Sequence, residues 1–232
     1  MKIEVLFSED CCLYGELGNI MYLKKCLPEA EFIYTELRDE PKFVSEEINL
    51  IYMGATTERT QEKIIKKLQP HKEKIQQLIE DGTAFLFTGN AFEVFGEYIE
   101  NPDGSKIDGL NIFDTYAKRD MVNRHNELFI GKLDDLEIVG FKSQFTQSFG
   151  DNSNNFFMEV VKGTGLNNSS KLEGLRVNNF FGTYLIGPIL PLNPKFTRYL
   201  LELLGVKNIQ LAFENLSIEA YERRLKEFKE RT

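Results

Sequence analysis

The residues able to do covalent chemistry are few, and their spacing does not serve it. The chain holds three cysteines, Cys11, Cys12 and Cys26, and two histidines, His71 and His125. A nucleophilic thiol needs its pKa lowered by a base, a cation or a helix N-terminus. Cys11 and Cys12 have Glu9, Asp10 and Glu16 as neighbours, and those carboxylates raise a thiol pKa. Catalysis by this pair is therefore not expected. No cysteine follows Cys26, and neither histidine has a partner at metal-ligand spacing, so no metal site and no cofactor are expected. Thr88 carries a hydroxyl but no base near it in the sequence, and it reads as the last residue of a strand.

One stretch has the form of a reactive elbow without the reactive group. Ala84 to Gly96 reads AFLFTGNAFEVFG. Ala84 to Thr88 is uncharged and suits a strand buried on both faces of a parallel sheet. Gly89-Asn90 breaks the run, and Ala91, Phe92, Val94 and Phe95 resume at helical spacing. Open α/β sheets place their sites at the carboxyl ends of strands, and a strand-to-helix turn is where many hydrolases hold a nucleophile. Here that turn offers Gly89.

The elements that must position this elbow follow from periodicity. Lys2–Phe7, Glu31–Leu37 and Ile48–Met53 read as strands, the last ending at Gly54-Ala55. Ile20, Leu23 and Leu27 mark a helix stopped by Pro28. Residues 57–80 carry Ile64, Ile65, Leu68, Ile75, Leu78 and Ile79 on one side, a long amphipathic helix with Pro70 as a bend. From Ile107 to Glu173, short strands alternate with Gly, Asn, Asp and Ser turns. The expected strands there are 111–116, 127–131, 137–141 and 156–161, with 174–177 close behind. Phe180–Leu185 is a further strand, 193–204 a helix, and 218–231 a highly charged terminal helix. The order predicts an α/β fold, a mainly parallel sheet flanked by helices, with an antiparallel extension over about 107–177.

Bulk properties narrow the classes. At 232 residues with net charge −8, the chain fits one large α/β domain. An acidic balance argues against nucleic-acid binding, which depends on Lys and Arg neutralising phosphates. The odd cysteine count, two of them adjacent, is no disulfide framework and fits a reducing cytoplasm. No signal peptide and no membrane span is expected.

The motif order resembles the class I glutamine amidotransferases of the CobB/CobQ type, and within them the GatD-type subunits. The family's elbow reads roughly C-G-G-Y-Q-x-L-G. Anchored on Gly96, its Cys falls on Gly89, its glycines on Asn90 and Ala91, its Tyr on Phe92 and its Gln on Glu93. An N-terminal N-Y-G-D-x-G-N loop appears as Tyr14-Gly15-Glu16-Leu17-Gly18-Asn19, and a G-G-G-Q-D strand end as Gly54-Ala55-Thr56-Thr57-Glu58. A G-x-x-I-x-G-L-G-I segment appears as Gly104 to Ile112. A late E-G-x-x-x-x-N-x-x-G-T-Y-L-H-G-P-x-L segment appears as Glu173 to Leu190, with Ile186 in the place of its His.

The resemblance implies a flavodoxin-like amidotransferase domain over 1–205, with 206–232 as a C-terminal extension packed on it. It implies pocket and oxyanion-type backbone at Gly54, Ala55 and Asn90. An Arg that grips the substrate carboxylate precedes an F-I-G in the family. Here F-I-G is Phe129-Ile130-Gly131, preceded by Leu128, while Arg119 and Arg124 lie in the loop ahead. A family G-F-E-N-H reads Gly140-Phe141-Lys142-Ser143-Gln144. Nucleophile and base are thus both replaced, which implies lost glutamine hydrolysis. GatD-type subunits partner a Mur-ligase-like enzyme that amidates cell-wall precursors, so docking to such an ATP-dependent enzyme is the first expected role. A small-molecule sensor reusing the altered pocket is the second, and an amidotransferase with another nucleophile the third.

Overall fold

A computed structural model describes residues 1–231. The N-terminal half runs β1 (Lys2–Leu6), α1 (Leu17–Cys26), β2 (Glu31–Thr35), β3 (Leu50–Met53), α2 (Glu58–Leu68), α3 (Lys72–Glu80) and β4 (Ala84–Thr88). Then come the short strands β5 (Tyr98–Glu100), β6 (Lys106–Asp108), β7 (Tyr116–Arg119), β8 (His125–Leu133), β9 (Leu136–Gln144), β10 (Thr146–Phe149), β11 (Met158–Lys162), β12 (Leu172–Glu173), β13 (Leu175–Val177) and β14 (Phe180–Thr183). Helices α4 (Ile189–Leu192), α5 (Pro194–Leu203) and α6 (Glu214–Glu230) complete the chain.

The main sheet has six strands in the order β13-β14-β4-β3-β1-β2, parallel except for β13. Every residue of β3 and β4 is buried, because both faces of the sheet are covered. On one face Ile51, Met53, Phe85 and Phe87 pack with Ile64, Ile65, Leu68, Ile75 and Ile79 of α2 and α3. On the other, Val5, Leu50, Leu86 and Phe181 pack with Ile20 and Leu23 of α1 and Phe196 and Leu200 of α5. The expected long helix is two helices, divided by a tight turn at Gln69–His71 that contains Pro70.

The extension is two four-stranded sheets rather than one. One is β12-β11-β8-β9, wholly antiparallel; the other is β10-β7-β5-β6, in which β5 and β7 run parallel. The strand expected over 111–116 begins only at Tyr116: Asn111 takes a left-handed φ of 52°, and the N–H groups of Asn111, Ile112 and Phe113 bond the carbonyls of Gly96 and Phe95 rather than a neighbouring strand. After β4, residues Gly89–Phe95 form 3-10 turns instead of an α-helix. All seven are buried, so no solvent face remains for an amphipathic helix. Their carbonyls bond outside the turn: Leu110 N donates to Val94 O (2.8 Å), and Ile112 N (2.9 Å) and Phe113 N (3.0 Å) to Phe95 O. Helix α6 lies on the β8–β9 hairpin, where Tyr221 is buried with Ile130 and Val139 and donates to Glu137 O at 2.8 Å.

Candidate functional site

The carboxyl ends of β3 and β4 bring together the residues that the sequence marked. Gly89 stands at the end of β4 with a left-handed φ of 62°. Ala55 follows β3, and Ile186 follows β14, tied by its backbone N to Phe141 O at 3.1 Å. A Cβ placed on Gly89 would meet Ala55 Cβ at 2.5 Å and Ile186 Cγ2 at 3.1 Å. The space a side chain needs at this turn is therefore occupied by two apolar groups.

Gly89, Asn90, Ala55 and Ile186 line one small cavity of about 150 Å³, together with Tyr14, Thr56, Arg124, Gln144 and Tyr184. Gly54 lies behind it, where a Cβ would strike Cys11 O at 2.6 Å. Leu128 faces Phe141 across the β8–β9 hairpin and lines neither this cavity nor its neighbour, whereas Arg124 lines both. Asn90 uses its side chain structurally: Oδ1 accepts from Thr56 N at 3.0 Å and Nδ2 donates to Thr56 O at 2.9 Å. The Thr56 N–H is thus already bonded.

Two buried carboxyls flank the cavity, and sequence reasoning assigned neither a role. Glu16 accepts from Gly187 N at 2.7 Å and from the Thr88 hydroxyl. Burial pushes its carboxyl up to about 7, against the lowering effect of those hydrogen bonds. It sits beside the residue next to Ile186, where a carboxylate would orient a base. Glu93 accepts from Gln61 Nε2 at 2.7 Å and from Tyr184 Oη at 2.8 Å, and burial pushes it too up to about 7. Gln61 in turn accepts from Arg119 Nη2 at 2.9 Å. Arg119 is spent in this network and in an ion pair with Glu62 at 3.1 Å. The one available signal for Glu16 was its place in the N-terminal loop motif, a carboxylate amid small and apolar residues.

None of the nucleophiles weighed in the sequence, Cys11, Cys12 and Thr88, lines the cavity. Thr88 is fully buried and holds Glu16. Cys11 is buried, and desolvation pushes its thiol up to about 12. Cys12 Sγ turns to Glu9 O at 3.6 Å. His71 bonds Glu40 at 3.3 Å, and His125 bonds Glu127 at 3.1 Å in the neighbouring cleft. Among the described residues no three His, Cys, Asp or Glu side chains group so as to hold a metal ion. None of the described helices is long and apolar enough to cross a membrane.

A doubly covered sheet, a glycine elbow after its fourth strand and a cavity at the strand ends define an open α/β architecture with its site at the strand ends. The chain belongs to the family of CobB/CobQ-like glutamine amidotransferase domains, whose model matches residues 2–194. It is 29% identical over 204 residues to the GatD subunit of lipid II isoglutaminyl synthase (glutamine-hydrolyzing) from Staphylococcus aureus, covering 87% of this chain and 83% of that one. It is 27% identical over 203 residues to the same-named subunit from Streptococcus pneumoniae, covering 83% and 76%. A glutamine amidotransferase crystal structure superposes with TM-score 0.56 at 13% identity, over 88% of this chain and 99% of that one. Another, from Thermotoga maritima, gives 0.53 at 10% identity, over 99% and 93%. The chain is GatD-like, and these structures share its α/β fold.

Proposed function

We propose that this GatD-like chain has lost glutamine hydrolysis and serves as a non-catalytic partner of an ATP-dependent, Mur-ligase-like amidating enzyme in the cytoplasm. One observation carries the reading. The turn that presents the nucleophile in this kind of fold is a glycine, and Ala55 and Ile186 fill the space its side chain would need. Losing the nucleophile or the base of a hydrolytic triad costs ~10⁶ in turnover. Backbone donors and binding alone leave only ~10³–10⁴ over water. Both positions are replaced here.

What survives is the scaffold. Residues 1–205 keep the motif order of the amidotransferase domain, and 206–232 extend it. The curated relatives are named as subunits, which favours a partner over solitary action. The proposal is tested by native co-purification from cells expressing both this chain and a Mur-ligase-like enzyme. A stoichiometric complex supports the role. A clean monomer that ignores the ligase at micromolar concentration removes it. A second reading is ligand binding without reaction, favoured by Arg124 in the cavity wall, which bonds Ser143 Oγ at 3.3 Å and has no carboxylate partner among the described residues.

A further inference from the structure

The two edges of the main sheet end differently. At one, Arg176 N of β13 donates outward to Asn155 O at 2.6 Å, so a loop closes that edge. At the other, β2 pairs with β1 alone. Glu31 N donates to Met1 O at 2.9 Å, and Phe7 N to Thr35 O at 2.7 Å. The backbone groups of Glu31 and Thr35, and by alternation those of Ile33, are therefore turned to β1. The N–H and C=O groups of Phe32 and Tyr34 are turned outward, and no described residue bonds them.

A bare edge is a template for another strand, and proteins blunt it with Lys or Pro in the strand, a bulge or a covering segment. β2 reads EFIYT, holds neither Lys nor Pro, and keeps an unbroken register with β1. Its one charged residue, Glu31, stands at the start. Tyr34 is 44% exposed, and Phe32 and Ile33 are half-buried. Over the rings of Tyr34 and Phe32 lies the Lys24 ammonium of α1, at 4.7 and 5.4 Å, which covers their face and leaves the strand edge open.

The free groups set their own register. On either side of Phe32–Tyr34 the outward groups are already used: Ala30 N donates to Leu27 O at 3.1 Å, and Glu36 O accepts from Asp39 N at 3.0 Å. Only an antiparallel strand centred on Ile33, with its own bare groups one residue to each side, satisfies them all and leaves none over. A second copy of β2 is such a strand. We propose that the chain forms a two-fold homodimer in which β2 pairs antiparallel with β2 of the second copy about Ile33, joining the two main sheets into one.

In that register Phe32 of each copy exchanges both backbone hydrogen bonds with Tyr34 of the other. The same two side chains become an aromatic cross-strand pair beneath Lys24, and Ile33 meets Ile33 on the opposite face. Glu31 faces Thr35, so no like charges are opposed. The strand-end cavity lies at β3, β4 and β14, with β1 between it and this edge, and it stays open. The dimer depends on backbone and not on glutamine chemistry, so it stands or falls separately from the loss of hydrolysis.

The test is sedimentation of the whole chain from about 1 to 1,000 µM, in roughly 0.3 M salt to screen the −8 charge of each copy. A single strand pair is a small contact, so the mass rises from 26.8 kDa to twice that value with a midpoint of roughly 30–300 µM. Tyr34→Pro removes an N–H that the monomer does not use, as an edge strand tolerates, and weakens association at least about 10-fold. Tyr34→Lys, at an exposed position, does the same by placing a charge on the edge. Val161→Lys, on β11, leaves it unchanged. Amide exchange followed by NMR shows Phe32 and Tyr34 gaining protection as the chain is concentrated. A monomer throughout the range, a dimer indifferent to Tyr34→Pro, or a dimer in which those two amides stay unprotected overturns the proposal. So does growth past two copies, or protection that appears only when a Mur-ligase-like enzyme is added, which would give the edge to that enzyme.

Discussion

Ala55 stands where the side chain of residue 89 would have to go: a Cβ on Gly89 would lie 2.5 Å from the Ala55 Cβ. The two residues directly follow adjacent parallel strands, β3 and β4, so neither can move far without disturbing the sheet. Placing a cysteine at position 89 alone must therefore strain the elbow. Gly89→Cys is expected to lose roughly 2–4 kcal/mol, from overpacking and from a left-handed backbone that costs a side chain about 1–2 kcal/mol. Ala55→Gly in the same chain should recover part of it, with a coupling of roughly 0.5–3 kcal/mol. Urea unfolding of the two single variants and the double variant measures it. A Gly89→Cys variant as stable as the parent would show that the space is open.

Glu16 and Glu93 should make stability fall as pH rises. Both carboxyls are pushed up to about 7 by burial, above their unfolded values. Between about pH 4.5 and 7 the folded chain holds protons that the unfolded chain has released, so the stability gradient with pH is negative in that window. Other carboxylates act with the opposite sign, so the comparison is with Glu16→Gln, which keeps the shape and cannot ionise. The parent-minus-variant stability should decline from pH 4.5 to 7 and flatten above it. A difference that is constant or rises would contradict the account.

Lys142 and Glu173 form a fully buried ion pair at 2.6 Å. Lys142 Nζ also donates to Thr164 O (2.6 Å) and Gly165 O (2.7 Å), and Glu173 Oε1 accepts from Tyr184 N at 2.8 Å. Removing one partner leaves a buried charge unmatched, a loss of roughly 3–5 kcal/mol. Lys142→Met should show that loss in thermal or urea melts, and Lys142→Met with Glu173→Gln should show less. Equal loss in both would mean that packing rather than charge sets the effect.

Asn90 clamps the Thr56 backbone from both sides, through Oδ1 and Nδ2. Asn90→Ala leaves a buried N–H and C=O of Thr56 unpaired, which should cost roughly 1–3 kcal/mol for each group. Hydrogen exchange at the Thr56 amide reads this directly. Protection should fall in the variant, and an unchanged rate would show that another group holds the loop.

The fold was legible where burial is uniform. The apolar runs of β3 and β4 and the stripe of Ile64, Ile65, Leu68, Ile75 and Ile79 state their environments outright. The elbow position was legible too, because a glycine break after a buried strand has few uses. What sequence missed depends on contacts far along the chain. Lys2–Leu6 alternates polar and apolar, yet Glu4 is fully buried, accepting from Lys42 N at 2.6 Å and Phe43 N at 2.8 Å. The segment expected as a helix after Gly89 is a run of 3-10 turns whose last two carbonyls, Val94 and Phe95, are taken by Leu110, Ile112 and Phe113, contacts far along the chain. Arg124 was one of two arginines within reach of the pocket, and only the β8–β9 hairpin and its loop set it, rather than Arg119, in the cavity wall. Gln144 gave no sign at all, since its buried Oε1, without a hydrogen-bond partner among the described residues, is a property of packing.

Glutamine hydrolysis by the purified chain, followed as ammonia release with and without the proposed ligase-like partner, tests the central claim most directly. On the proposal that Gly89 and Ile186 stand at the positions of nucleophile and base, release should not exceed that of a buffer blank in either case. Turnover that persists at constant specific activity through further purification would contradict the account, and would require a nucleophile that the packing around Ala55, Gly89 and Ile186 does not provide.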